Sequence, residues 1–165
     1  MEIRQERPED IDSIRRITKA AFEPIEHSSQ TEAAIVDALR SAGALTLSLV
    51  AVADGEIVGH VAFSPVAIDG ADKGWYGLGP VSVRPDRQKE GIGGALIRDG
   101  LTRLAQAGAK GCVVLGDPGY YKRFGFENDP GLRFEGVPAE YFMQLTLDGA
   151  TPSGNVTYHA GFGAT

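Results

Sequence analysis

Seven consecutive residues, Gln88-Lys89-Glu90-Gly91-Ile92-Gly93-Gly94, have the makings of a phosphate cradle built from backbone alone. They follow the β-branched run Val81-Ser82-Val83 and lead into a helical pattern, so the glycines fall at a strand-to-helix turn. Glycine lets the backbone approach a ligand closely. The first amides of a helix, together with the positive end of its dipole, then face an anion. Arg84, Arg87 and Lys89 supply positive charge beside the turn. The same glycines would also suit a plain tight turn. A dinucleotide fingerprint wants a third glycine where Leu96 stands, and no Gly-Lys-Ser/Thr follows as in a Walker loop.

The run Gln88 to Gly93 fits Arg/Gln-x-x-Gly-x-Gly/Ala and so resembles the acyl-CoA signature of the GNAT superfamily of N-acetyltransferases. Further along, Tyr121-Lys122-Arg123-Phe124-Gly125-Phe126 is similar to the Tyr-x-x-x-Gly-Phe sequence of that family's fourth helix. Gly116-Asp117-Pro118-Gly119-Tyr120-Tyr121 resembles a bacterial subgroup of small acetyltransferases. Together these motifs and the element order cover residues 1–147.

The resemblance implies acetyl-CoA as cosubstrate and an amine of a small molecule or protein as acceptor. Backbone groups of Val81 and Val83, flanking Ser82, would bond the pantetheine arm like an added strand. Amides of Gln88, Lys89, Glu90, Gly91, Ile92, Gly93 and Gly94 would hold the pyrophosphate. Tyr121 stands where the family has the acid that protonates the departing thiolate; a phenol near pKa ~10 and a thiol near ~8.5 are close enough for transfer. Tyr120 competes for that role, because adjacent helical residues point about 100° apart. Many members carry a carboxylate base in the fourth strand, yet residues 77–83 contain no acid here. Asp117 is the best remaining candidate base, followed by Glu26, His27 and Glu32, although Asp117 also suits a helix cap at Pro118. The missing acid leaves room for a non-catalytic acyl-CoA sensor as an alternative function.

Composition is compatible with this. The chain of 165 residues is 42% apolar and 23% charged, which suits one globular domain over residues 1–165, with a core to 147 and a strand and tail from 148. Nothing approaches the ~20 apolar residues of a membrane span, and the N-terminus lacks a signal-peptide pattern, so a cytoplasmic protein without a membrane partner is expected. A net charge of −6 argues against nucleic acid. Residues 84–123 nonetheless carry +4, leaving −10 for the rest, which fits an anionic cosubstrate and a cationic acceptor. The single cysteine, Cys112, sits in an apolar run and reads as packing. His27, His60 and His159 lack ligand spacing, so no metal is expected. His60 is placed by strand alternation with Val58 and Ala62, opposite Ile57, Val61 and Phe63.

The elements that must position these groups follow from periodicity. Residues 2–6 read as a strand, and Pro8 opens a helix with Ile11, Ile14, Ile17 and Ala21 on its apolar stripe. A second helix spans 31–42, with Ala34, Ile35, Ala38 and Leu39 inward. Strands 45–53 and 56–68 flank Asp54-Gly55, a strong hairpin signal. Residues 70–74 read as a break before a strand at 75–84, then a helix at 91–107 with Ile97, Leu101, Leu104 and Ala105 buried, and a strand at 110–116. A short helix runs from Pro118 to Gly125; strands at 141–147 and 156–162 close the chain, and 161–165 fray. The predicted fold is a mixed α+β domain. It has a mostly antiparallel sheet, one parallel strand pair that splays apart, and flanking helices. The terminal strand at 156–162 offers an edge for a homodimer.

Overall fold

The computed structural model describes residues 1–165. Its strands are β1 (Glu2–Gln5), β2 (Leu47–Ala53), β3 (Glu56–Ile68), β4 (Ala71–Val83), β5 (Gly111–Leu115), β6 (Leu132–Arg133), β7 (Phe142–Thr146) and β8 (Gly154–Tyr158). Its helices are α1 (Ile11–Phe22), α2 (Glu32–Ser41), α3 (Ile92–Gln106) and α4 (Pro118–Tyr121). The sheet order is β1-β2-β3-β4-β5-β7, antiparallel throughout except for the parallel pair β4–β5 that the α3 crossover joins.

Two Asp-Gly turns build the middle of the sheet. Asp54 and Gly55 both have positive φ (53° and 77°), as do Asp69 and Gly70 (50° and 78°), the backbone of a two-residue hairpin turn. The second turn replaces the expected break at 70–74: β4 starts at Ala71 and runs unbroken to Val83. Gly74, at φ 75°, sits inside the strand where the β3–β4 register shifts.

Helix α3 packs on one face of the sheet through Ile92, Leu96, Ile97, Leu101 and Leu104, all buried. Each such side chain contributes about 1.5–3 kcal/mol by leaving water. Ala105, expected inward, is exposed, because the buried stripe runs instead through Leu96 and Ile92. Close approach depends on glycines on both partners. A Cβ on Gly59 of β3 would lie 2.8 Å from Ile92 and 2.9 Å from Leu96, and one on Gly100 of α3 would lie 2.2 Å from the Phe63 ring.

Helices α1 and α2 cover the other face, around Ile14, Val36 and Val50. The inward residues of α2 are Ala33, Ile35, Val36 and Leu39, so Ala34 and Ala38, expected inward, are only half-buried. A bulge near Val58 changes the alternation of β3 as well. Val58 joins Val61 and Phe63 on the α3 side. His60 is left on the α2 side, fully buried, 2.8 Å from the Ser48 hydroxyl, which in turn bonds Glu6. Glu6 also pairs with Arg40 of α2 at 2.8 Å. Burial pushes the His60 imidazole down to about 4, so it is neutral here.

The C-terminus departs most from expectation. Strand β8 ends at Tyr158, and Ala160–Gly163 form a 3-10 turn with Gly161 buried against Leu39. The tail is therefore packed rather than frayed. One side of β8 is taken by β3 along Val156–Tyr158, and β6 pairs at Gly154 and Asn155, so β8 is shorter than the expected strand at 156–162 and is paired within the chain.

Candidate active site

Strand β4 pairs with β5 at Trp75, Tyr76 and Gly77, and there the pairing stops. Beyond Gly77, β4 continues to Val83 while β5 runs to Leu115, and the two part. The opening leads into a groove of about 650 Å³ lined by Val81, Val83, Gln88, Lys89, Gly91, Ile92, Gly93, Gly94 and the aromatic residues of the α4 region. Ile25 and Phe22, at and beyond the end of α1, close it on one side.

At the mouth of the groove the backbone is unusually open. The amides of residues 88–94 donate to no group of the chain, and no side chain caps α3. Gly91 is the N-cap in the left-handed region (φ 85°), and Lys89 shares that conformation (φ 66°). A run of free donors around alternating left-handed residues is an anion-binding concavity. Nothing lies within 4 Å of a Cβ on Gly91, so the space in front of it is open.

The predicted residues divide. Gln88, Lys89, Gly91, Ile92, Gly93, Gly94, Val81 and Val83 line the groove; Ser82 and Glu90 do not. The Ser82 hydroxyl turns to the opposite face and meets Thr18 of α1 at 3.3 Å. Glu90 is paired with Arg87 at 3.0 Å, and Arg84 with Asp86 and Glu56 at 2.6 and 2.9 Å. Arg84 and Arg87 are therefore neutralised locally. The groove instead takes Lys89, Arg98 and Arg123, the last two of which sequence reasoning missed. Arg98 lies over the Phe124 ring at 4.8 Å and Arg123 over Tyr120 at 4.7 Å. A basic side chain one helical turn beyond a glycine-opened N-terminus was the available signal.

The two tyrosines take different positions. The Tyr120 hydroxyl points at the helix mouth, 3.3 Å from where Gly93 would carry a Cβ. The Tyr121 ring instead covers Gly116 at the end of β5, 2.4 Å from its Cβ position, and packs on Phe126. Burial, with smaller effects from Tyr120 and Cys112, pushes the Tyr121 phenol up to about 12. Asp117 accepts from the Gly119 amide at 3.0 Å, the N-cap arrangement. Glu32 is engaged by the Ser28 hydroxyl at 2.7 Å, whereas Glu26 and His27 lie exposed on the α1–α2 connection. Cys112 is fully buried in β5, and burial drives its thiol pKa upward. The groove therefore combines an anion cradle, a slot between strands and one buried phenol beside that slot.

Comparison with known proteins agrees with this geometry. Residues 2–128 match the family described as an acetyltransferase (GNAT) domain. The chain is 38% identical over 169 residues to the Escherichia coli (strain K12) protein called uncharacterized N-acetyltransferase YhbS, covering 98% of each. Among solved structures, a GNAT family acetyltransferase from Brucella melitensis in complex with acetyl-CoA superposes with a TM-score of 0.89 at 58% identity, over 98% of this chain and 97% of that one. E. coli YhbS in complex with CoA gives a TM-score of 0.90 at 37% identity, over 98% of this chain and 91% of that one. By fold, by motif and by these relatives, the chain belongs to the GNAT family of N-acetyltransferases.

Proposed function

We propose that the protein moves an acetyl group from acetyl-CoA to an amine. The observation that carries this reading is the run of unpartnered amides at residues 88–94, opening onto a groove that ends where β4 and β5 part. Those amides, with Lys89, Arg98 and Arg123, suit a pyrophosphate. Val81 and Val83 line the slot along which a pantetheine arm would lie as an added strand. The Brucella relative solved with acetyl-CoA and the E. coli relative solved with CoA support the same cosubstrate.

In this reading Tyr121 meets the departing sulfur. Its hydroxyl, carried on the ring that covers Gly116, donates a hydrogen bond to the charge that develops as the thioester breaks. Residues 77–83 of β4 hold no carboxylate to act as a base, Asp72 at the start of the strand accepts from the Gly74 amide, and one Asp117 oxygen is committed to its cap. The amine accordingly gives up its proton toward solvent, and the rate should climb with pH toward the amine's own value near ~10.4. The missing base favours one other reading, an acyl-CoA sensor without turnover.

The test is calorimetric titration of acetyl-CoA and CoA into wild type and Gly91→Glu. The variant sets a carboxylate in the open space before the amides. Saturable binding lost in the variant is the expected result. Failure of wild type to bind either ligand, or equal binding by the variant, would overturn the proposal. Slow release of free CoA from acetyl-CoA then separates an enzyme from a sensor.

A further inference from the structure

Tyr120 lines the same groove as the free amides of α3, and its ring is packed by three neighbours. It meets Tyr121 edge-on with centroids 5.0 Å apart and an interplanar angle of 88°, and Phe124 at 5.3 Å and 70°. The Arg123 guanidinium lies over its face at 4.7 Å. These contacts set the direction of the hydroxyl, which comes within 3.3 Å of the position a Cβ on Gly93 would take. That position is also 3.6 Å from Val83 and 3.9 Å from Val81. The hydroxyl therefore stands where the mouth of α3 meets the slot beside β4.

Within the chain this hydroxyl has nothing to bond. Every side-chain hydroxyl that forms a hydrogen bond here belongs to serine or threonine, and Tyr120 forms none. A packed tyrosine ring ordinarily sends its O–H to a partner. The ring contacts alone would be met equally well by phenylalanine, so they do not account for the oxygen.

Charge around the hydroxyl decides what kind of partner it takes. Arg98 Nη1 lies 3.3 Å from the Cβ position of Gly94, the next residue of α3, while its guanidinium covers the Phe124 ring at 4.8 Å. Neither Arg98 nor Arg123 enters an ion pair, so aromatic faces hold both cations and leave their N–H groups free. The groove is lined by three cations, Lys89, Arg98 and Arg123, and by no carboxylate. Gly93 also belongs to the first turn of α3, where the helix dipole is positive. An anionic oxygen is the acceptor that suits an O–H in this setting.

We propose that Tyr120 is a cosubstrate-binding residue whose hydroxyl donates a hydrogen bond to the pyrophosphate. This rests on the acetyl-transfer reading above. The anion is then held by the backbone amides of α3 together with one phenolic O–H, with Arg98 and Arg123 beside it. The adjacent tyrosines divide the cosubstrate between them: Tyr120 serves its phosphates and Tyr121 its sulfur. Loss of the Tyr120 hydroxyl accordingly weakens binding, in contrast to loss of the Tyr121 hydroxyl, which slows the reaction.

The experiment titrates CoA and dephospho-CoA, which keeps the pyrophosphate and lacks the 3′-phosphate, into wild type and Tyr120→Phe by calorimetry, with phosphorus NMR of the bound CoA. Phenylalanine keeps the ring contacts, and an unchanged melting temperature checks the fold. Kd is expected to rise about tenfold for both ligands. The bound pyrophosphate resonances should move between wild type and variant while the 3′-phosphate resonance stays; a ring that served packing alone would shift none of them. A rise in Kd of less than about threefold for CoA overturns the proposal, as do unmoved pyrophosphate resonances. A loss confined to CoA and absent for dephospho-CoA also overturns it, because the hydroxyl would then serve the 3′-phosphate. If wild type binds neither ligand, the acetyl-transfer reading fails and inorganic pyrophosphate judges the hydroxyl by itself: binding weakened at least about threefold by Tyr120→Phe supports the proposal, and no binding by wild type overturns it.

Discussion

Replacing Tyr121 with phenylalanine tests how the departing thiolate is handled. The substitution keeps the ring over Gly116 and against Phe126, so packing is retained and one hydroxyl is lost. Burial holds this phenol at about 12, whereas an alkyl thiol sits near ~8.5. The gap of about 3.5 pH units makes full proton transfer from Tyr121 to a thiolate unfavourable by about 5 kcal/mol. The nearly balanced transfer expected from an ordinary phenol, uphill by only about 2 kcal/mol, is therefore replaced by a hydrogen bond to developing negative charge. Such a bond contributes about 1.5–3 kcal/mol, and its loss should lower kcat by about 10–150-fold. CoA release followed with a thiol-reactive chromogen between about pH 6 and pH 10 reads the rate, and calorimetry reads the affinity for acetyl-CoA, which should not change. Because the phenol stays protonated over that whole range, wild type should show no alkaline fall in rate. A drop of less than about threefold in the variant would refute the reasoning. So would an alkaline limb near pH ~10 in wild type that the variant lacks, since it would identify Tyr121 as an acid of ordinary strength.

Other predictions concern the scaffold. Gly100→Ala sets a methyl 2.2 Å from the fully buried Phe63 ring and should destabilise the fold by about 1–3 kcal/mol, lowering the melting temperature by about 2–12 °C; unchanged melting would show that α3 can shift. Asp10 is buried and paired with Arg4 at 2.7 Å, which holds its carboxyl below the ordinary value. A lowered folded-state value contributes stability that is present above the unfolded pKa of ~3.9 and lost as pH falls through the folded value. Asp10→Asn should accordingly cost about 1–3 kcal/mol in denaturant unfolding at neutral pH and much less in acid; an equal loss at both would mean that packing, not charge, is at stake. Cys112, buried in β5 with its thiol pKa raised, should resist iodoacetamide in the native protein and react only after unfolding; rapid native modification would contradict its burial.

The sequence by itself determined those parts of the molecule whose conformation is decided within a few residues. Gly91 announces a helix mouth because the chain must pass through a left-handed conformation there. Asp54-Gly55 announces a hairpin because its turn requires two consecutive positive φ angles. The strand–helix–strand order at 71–115 entails a parallel pair, and with it the slot between β4 and β5. Only the tertiary structure decided what faces that slot. Arg84 and Arg87 were near in sequence, but carboxylates at Glu56, Asp86 and Glu90 hold them, and Arg98 and Arg123 line the groove in their place. Long flexible cations follow whichever partners folding brings within reach, and periodicity does not encode that choice. Tyr121 was separated from Tyr120 by the end of β5 lying beneath it, and His60 was parted from Val58 by a bulge. Strand β8 returns beside β3 and β6, a contact between segments too far apart along the chain for any local pattern to record.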